Sequence, residues 1–150
     1  MLVYLRIGGW KLARRLPFCL LLTCSSAAFG QISTREFLIP GAASSQFNEI
    51  TSGPDGNLWF TENSNNKIGR MTTGGVVTEF ALATPNSFPR GIATGSDGNI
   101  WFTEMGVPFA NSGRIGRITP AGVITEFTVL TLFSTPTGIT PGPDGNLWFH

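Results

Sequence analysis

A thirteen-residue string, Ile50-Thr-Ser-Gly-Pro-Asp-Gly-Asn-Leu-Trp-Phe-Thr-Glu62, recurs as Ile92-Ala-Thr-Gly-Ser-Asp-Gly-Asn-Ile-Trp-Phe-Thr-Glu104 and returns from Ile139 to His150. The periods are 42 and 47 residues. A second block, Lys67-Ile-Gly-Arg-Met-Thr-Thr-Gly-Gly-Val-Val-Thr-Glu-Phe80, is matched by Arg114-Ile-Gly-Arg-Ile-Thr-Pro-Ala-Gly-Val-Ile-Thr-Glu-Phe127. Between the two blocks lie five residue steps in the first copy and ten in the second, so a single insertion at Met105 to Gly113 accounts for the longer period. Self-similarity at this spacing confines the chain to repeat architectures, in which each unit buries its apolar faces against its neighbours.

Within a unit the pattern is short strands joined by tight turns. Gly53-Pro54-Asp55-Gly56 sets Pro where a type I turn needs φ near −65° and Gly where a hairpin needs positive φ, and Gly95 to Gly98 and Gly142 to Gly145 repeat it. The following strand, Asn57 to Glu62, alternates Leu58 and Phe60 with Trp59 and Thr61. Both faces are apolar, so the sheet is expected to be covered on both sides. Strands at Lys67 to Thr72 and Val76 to Leu82 complete a set of four, and no segment past the leader carries a capped 3.6-residue period. Four short strands per 42 to 47 residues predict an all-β fold, a β-propeller of four-stranded blades, here an N-terminal partial propeller. Blades are expected over 50–91 and 92–138, the start of another over 139–150, and an orphan outer strand and link over 33–49, because Ser33 to Phe37 aligns with Val77 to Phe80. Closed propellers have about 4 to 8 blades, so remaining blades are required to close the ring.

The first 30 residues have a different character. Arg6, Lys11, Arg14 and Arg15 precede a short apolar run from Leu16 to Cys24, and Ala28-Phe29-Gly30 offers small residues for cleavage before Gln31. This is the grammar of a secretory signal, and it predicts an exported protein, extracellular or periplasmic. Leu16 to Gly30 is 15 residues, short of the ~20 that span a bilayer, so no transmembrane span is expected. Leu21-Leu22-Thr23-Cys24 also resembles a lipoprotein box, which makes lipid anchoring at Cys24 the minor alternative.

Composition narrows function. Past the leader, six Lys or Arg face nine Asp or Glu, which disfavours a nucleic-acid surface. Both cysteines, Cys19 and Cys24, lie in the leader, and His150 is the one histidine. A disulfide framework, a cysteine metal site and a Ser-His-Asp triad therefore lack their parts.

The combined strings Gly-Pro-Asp-Gly-Asn-Leu-Trp-Phe-Thr-Glu, Lys-Ile-Gly-Arg-Met-Thr and Val-Thr-Glu-Phe resemble the blade repeat of the virginiamycin B lyase, or streptogramin lyase, family, over residues 33 to 150. The resemblance implies a carbon-oxygen lyase that linearises cyclic depsipeptide antibiotics by elimination. A general base takes a carbon-bound proton and Mg²⁺ stabilises the enolate-like charge. It further implies a base histidine two residues beyond the Trp-Phe-Thr-Glu glutamate, a second histidine similarly placed in a neighbouring blade, and glutamates serving the metal. Those histidine positions are Ser64 and Gly106 in this sequence. His150 takes the place of Thr61 and Thr103, which reads as a strand residue and not as a catalyst. No catalytic residue is therefore identified.

Hairpin geometry places Glu62, Glu104, the insertion Met105 to Gly113 and the links Ala83 to Arg90 and Thr128 to Thr137 on one side of the blades. Glu62 and Glu104 are the candidate binding residues, as hard oxygen ligands for a cation or substrate; as strand terminators they would instead accept hydrogen bonds. Glu79 and Glu126 read as solvated charges that protect an edge, and Arg70 and Arg117 as partners for carboxylates. Trp59, Trp101 and Trp148 read as blade-to-blade core, and the insertion as an exposed, tolerant loop. The rival function is a non-catalytic propeller that binds a peptide, glycan or protein partner on this loop face.

Overall fold

A computed structural model describes residues 2–7, 32–39, 46–107 and 111–150. The chain divides into two compact units, Met1–Leu38 and Ile39–His150. In the first, β1 (Leu2–Ile7) pairs antiparallel with β2 (Ile32–Phe37), in a register from Leu2 opposite Phe37 to Ile7 opposite Ile32. A strand thus runs over the segment expected to be an orphan outer strand, and its partner here is the start of the segment read as a leader. The apolar run of that leader and the cleavage position after Gly30 lie outside the described residues, as does Cys24.

The second unit is built from the repeat. Strands β3 (Phe47–Ser52), β4 (Leu58–Glu62), β5 (Lys67–Met71) and β6 (Val77–Ala81) form one antiparallel sheet in that order. Strands β7 (Pro89–Thr94), β8 (Ile100–Glu104), β9 (Arg114–Ile118) and β10 (Ile124–Thr128) form the next, and β11 (Ile139–Pro141) pairs with β12 (Leu147–Phe149). First strands of successive sheets lie side by side, β3 by β7 and β7 by β11. The sheets therefore fan outward from their first strands, which is the blade arrangement of a β-propeller. The first blade begins at Phe47, before the repeated Ile50, because β3 carries a bulge between Phe47 and Ile50 that keeps the chain paired with Glu62.

The turn residues do more than reverse the chain. The Asp55 carboxylate accepts hydrogen bonds from the Asn57 backbone at 3.2 Å, the Asn57 amide at 2.7 Å and the Trp59 indole at 3.1 Å. Asp97 with Trp101 and Asp144 with Trp148 repeat the pattern. One aspartate thus fixes both the hairpin and the orientation of the tryptophan two strand positions on. The cost of desolvating Asp55 is outweighed by the bonds from Asn57 and Trp59, which hold its carboxyl below the usual range.

Both faces of β4 are covered, as its alternation predicts: Trp59, Phe60, Thr61 and Glu62 are all buried. On one face Phe60 lies opposite Gly69 of β5, where a Cβ would fall 2.1 Å from the phenyl ring. The Ile-Gly-Arg motif therefore makes room for a cross-strand aromatic, and Gly116 does so for Phe102. On the other face Trp59, Ile68 and Leu82 pack against Ile92, Ile100, Phe102 and Ile118 of the second blade. A second cluster, Ala93, Ile115 and Ile139 with Trp101, Val129 and Leu147, joins the second blade to β11 and β12.

Arg70 and Arg117 depart from expectation. Arg70 lies 5.6 Å from both the Trp59 and Phe80 rings and donates to the Pro120 carbonyl at 2.9 Å. Arg117 stands 5.8 and 5.9 Å from Trp101 and Phe127. A guanidinium between stacked aromatic faces is better served by cation-π attraction than by a distant carboxylate.

Candidate functional site

Threonines at the ends of β4 and β8 set the spacing of the blades. Thr61 Oγ1 accepts the Glu49 N–H at 3.2 Å and donates to the Arg90 carbonyl at 2.8 Å, across to the next first strand. Thr103 Oγ1 likewise accepts the Gly91 N–H at 2.8 Å and donates to the Thr137 carbonyl at 3.1 Å. These contacts gather the bulged starts of β3 and β7, together with Thr137 and Gly138 ahead of β11, around a polar cavity of about 430 Å³ lined by Asn48, Glu49, Arg90, Thr137 and His150 over bare Gly91 and Gly138. The cavity lies among the starts of the first strands, on the side where the second strands end, which in a closed propeller would be a mouth of the central channel.

Around that rim, Glu62 and Glu104 are both wholly buried. The Asn65 amide donates to Glu62 Oε2 at 3.1 Å. In the second blade the insertion displaces that asparagine, and neither Glu104 oxygen has a hydrogen-bond partner among the described residues. Burial is the main cause that lifts the Glu104 carboxyl to about 7; Ser87 and, more weakly, Arg114 oppose the rise, and the Glu126 charge adds to it. The Ser87 hydroxyl makes its well-formed bond elsewhere, to the Thr84 carbonyl at 2.8 Å. Contact between either glutamate and a ligand requires the covering residues to move.

The link Ala83 to Arg90 is tied down on both sides. Asn66 accepts the Ser87 N–H at 2.8 Å and donates to the Thr84 carbonyl at 2.9 Å. Glu126 accepts the backbone N–H groups of Ala83 at 3.1 Å and Thr84 at 3.3 Å, plus the Thr84 hydroxyl, which in turn accepts from Arg114 Nε at 3.2 Å. Glu126 is thus not a solvated edge charge. It clamps the link of the preceding blade. Glu79 pairs with Lys67 at 2.5 Å, half-buried on its own sheet.

The base positions differ between blades. Ser64 is exposed in the turn after β4. Gly106 is buried with φ +66°, and a Cβ there would lie 2.4 Å from Ser112 Oγ. The base of the insertion is therefore packed, not free: Ser112 Oγ accepts the Val107 N–H at 2.7 Å, and Asn111 Oδ1 accepts the Phe133 N–H at 2.7 Å. Residues 108–110, which include the tip, lie outside the described residues. His150 pairs through its backbone with Gly138 and Thr137, and its exposed ring rests against Gly138.

Comparison with known proteins places these blades. The profile of the virginiamycin B lyase family matches residues 27–150. The chain belongs to this family. Virginiamycin B lyase from Staphylococcus aureus, solved as a catalytically inactive histidine-to-alanine variant with quinupristin, is 44% identical over 82% of this chain and 39% of its own, with a TM-score of 0.66. Its selenomethionine form gives 43% identity over 81% and 39%, also at 0.66. A streptogramin B lyase gives 38% identity over 81% and 38%, again at 0.66. The chain thus spans about two fifths of the length of these solved virginiamycin B lyase relatives. No curated protein matches it.

Sequence reasoning named Glu62 and Glu104 as candidate binding residues and Ser64 and Gly106 as the positions to which the resemblance assigns histidines; the structure places both glutamates buried at the ends of β4 and β8. That reasoning missed the Thr84, Ser87 and Glu126 clamp and the channel-mouth residues. The signal for the latter was the residue two before each repeated isoleucine, which is Asn48, Arg90 and Thr137 in turn, ahead of a string that recurs.

Among the described residues no three His, Cys, Asp or Glu side chains converge to hold a metal. There is no helix among the described residues long and apolar enough to cross a membrane.

Proposed function

We propose that the protein is an exported lyase-like propeller whose reaction is the elimination that linearises a cyclic depsipeptide antibiotic, and that blades one and two hold the substrate while supplying no general base. The observation that carries this division is Gly106. At φ +66° and against Ser112, it occupies the base position with a backbone that a histidine side chain does not fit, while the surrounding blade matches a relative solved with quinupristin. Ser64, at the first blade's position, has no basic nitrogen. The base and the Mg²⁺ of the family reaction then belong to residues outside these two blades, and no step is assigned to the ion here.

Residues at the rim have a supporting part in this reading. The clamped link and the hydrogen-bonded base of the insertion form part of a preset wall, and a wall set in advance costs less ordering when a ligand binds. The test is mass spectrometry of a type B streptogramin incubated with the full-length protein and Mg²⁺. Elimination gives a linear product of unchanged mass with a new carbon-carbon double bond, whereas hydrolysis adds one water. Binding without any linear product would favour the second reading, a non-catalytic propeller for peptide, glycan or protein ligands, which the missing histidines support. The Ser64→Ala variant is expected to keep full turnover.

A further inference from the structure

We propose that the channel mouth is a carboxylate-binding subsite in which Arg90 receives the carboxylate set free by ring opening; this deepens the lyase reading above and rests on it. Elimination is balanced without water. The base takes a proton from the carbon next to the one bearing the ester oxygen, that C–H electron pair becomes the second bond of the alkene, and the C–O bond breaks with its electrons on the acyl oxygen. A neutral lactone therefore becomes an anion, and a site that recognises the change must present an unspent cation.

Arg90 meets that description. Its side chain is exposed at the cavity and makes no ion pair among the described residues; its one polar side-chain contact there is with Met105 Sδ at 3.9 Å. The charge that could compete for it, Glu49, has an oxygen committed to the Ile92 N–H at 2.9 Å. Asn48 reaches the Pro89 carbonyl only at 3.5 Å, so its amide is a second donor within the same cavity. Gly91 lets the next first strand close in on one side of the cavity, since a Cβ there would meet the Thr137 carbonyl oxygen at 2.7 Å. Arginine stands at this bulge position only in blade two, since Asn48 and Thr137 hold it in the others, so the cation is not a requirement of the repeat. A planar guanidinium with parallel N–H groups is the side chain best matched to a carboxylate.

The experiment is calorimetric titration of the full-length protein with two probes: the antibiotic linearised by alkaline hydrolysis, which bears the carboxylate, and the amide of that same linear peptide. The expected result is tighter binding of the acid by ~10- to 100-fold, the range of a charge-assisted hydrogen bond. Arg90→Gln should erase the difference, Arg90→Lys should keep part of it, and affinity for the intact lactone should not change. Equal affinity for acid and amide, or a preference that survives Arg90→Gln, overturns the subsite. Turnover of the lactone is scored separately. A wild-type protein that prefers the acid but never opens the ring sinks the lyase reading and leaves the carboxylate subsite standing.

Discussion

Replacing Glu104 by glutamine should remove a pH dependence that the fold has built into its second blade. The carboxyl is wholly buried, neither oxygen has a well-formed hydrogen bond among the described residues, and burial lifts it from its ordinary 4.5 to about 7 against the opposing pull of Ser87. Its protonated form is therefore the one the fold favours. Below about 4.5 the group is neutral whether the chain is folded or unfolded, and it costs nothing. Between 4.5 and 7 the unfolded chain ionises first, so stability falls as pH rises, and above 7 the loss is complete. At about 1.4 kcal/mol per pH unit, the interval gives a loss of about 3 kcal/mol. The groups facing it are Ser87 on the link, Arg114 on β9 and Glu126 on β10. Glutamine has the same shape and does not titrate, so any unsatisfied amide cost is the same at every pH. Denaturant titrations of wild type and Glu104→Gln at pH 4.5, 6 and 8 isolate the effect, because all other carboxyls cancel in the difference. The variant should gain about 3 kcal/mol relative to wild type between the first and last pH. Parallel curves would show that Glu104 is solvated or partnered in solution, and would refute the reasoning.

Other substitutions probe the remaining contacts. Trp59→Ala should cost about 3 to 5 kcal/mol in a denaturant titration, because Trp59 is 0% exposed. Glu126→Gln should speed amide hydrogen exchange at Ala83 and Thr84 by about tenfold while leaving β8 unchanged, since both N–H groups lose a charged acceptor. Gly106→His should destabilise by about 2 kcal/mol or more and confer no lyase activity in a mass-spectrometric assay, because positive φ and the Ser112 contact both oppose a side chain there.

The blades were legible because local chemistry and repetition agree. Gly-Pro-Asp-Gly can only turn, the aspartate then reaches the tryptophan four residues on, and the alternation of Leu58 to Thr61 declares two covered faces. What touches what between blades was not legible. Glu126 and Glu79 occupy the same repeat position, yet one holds the backbone of a preceding link and the other a lysine on its own sheet. A repeat shows that a residue recurs, and the neighbour that gives it work lies some 40 residues away, as Ala83 does from Glu126. The surroundings of Glu104 were hidden for the same reason, because Ser87 beside it lies on a link that carries no repeated string.

Thr61 and Thr103 have a consequence for how a ring of such blades could close. Each hydroxyl receives from its own blade and gives to the following one, so the bonds share one rotational sense and step forward around the axis. An error in the angle between two neighbouring blades would not stay local: repeated at every junction, it would add up by the last. Setting each junction with a short, directional bond made by a side chain without flexible joints keeps that sum small. The hydroxyl works as an angular gauge, and the tolerance of the whole circle is held at the level of a single oxygen atom.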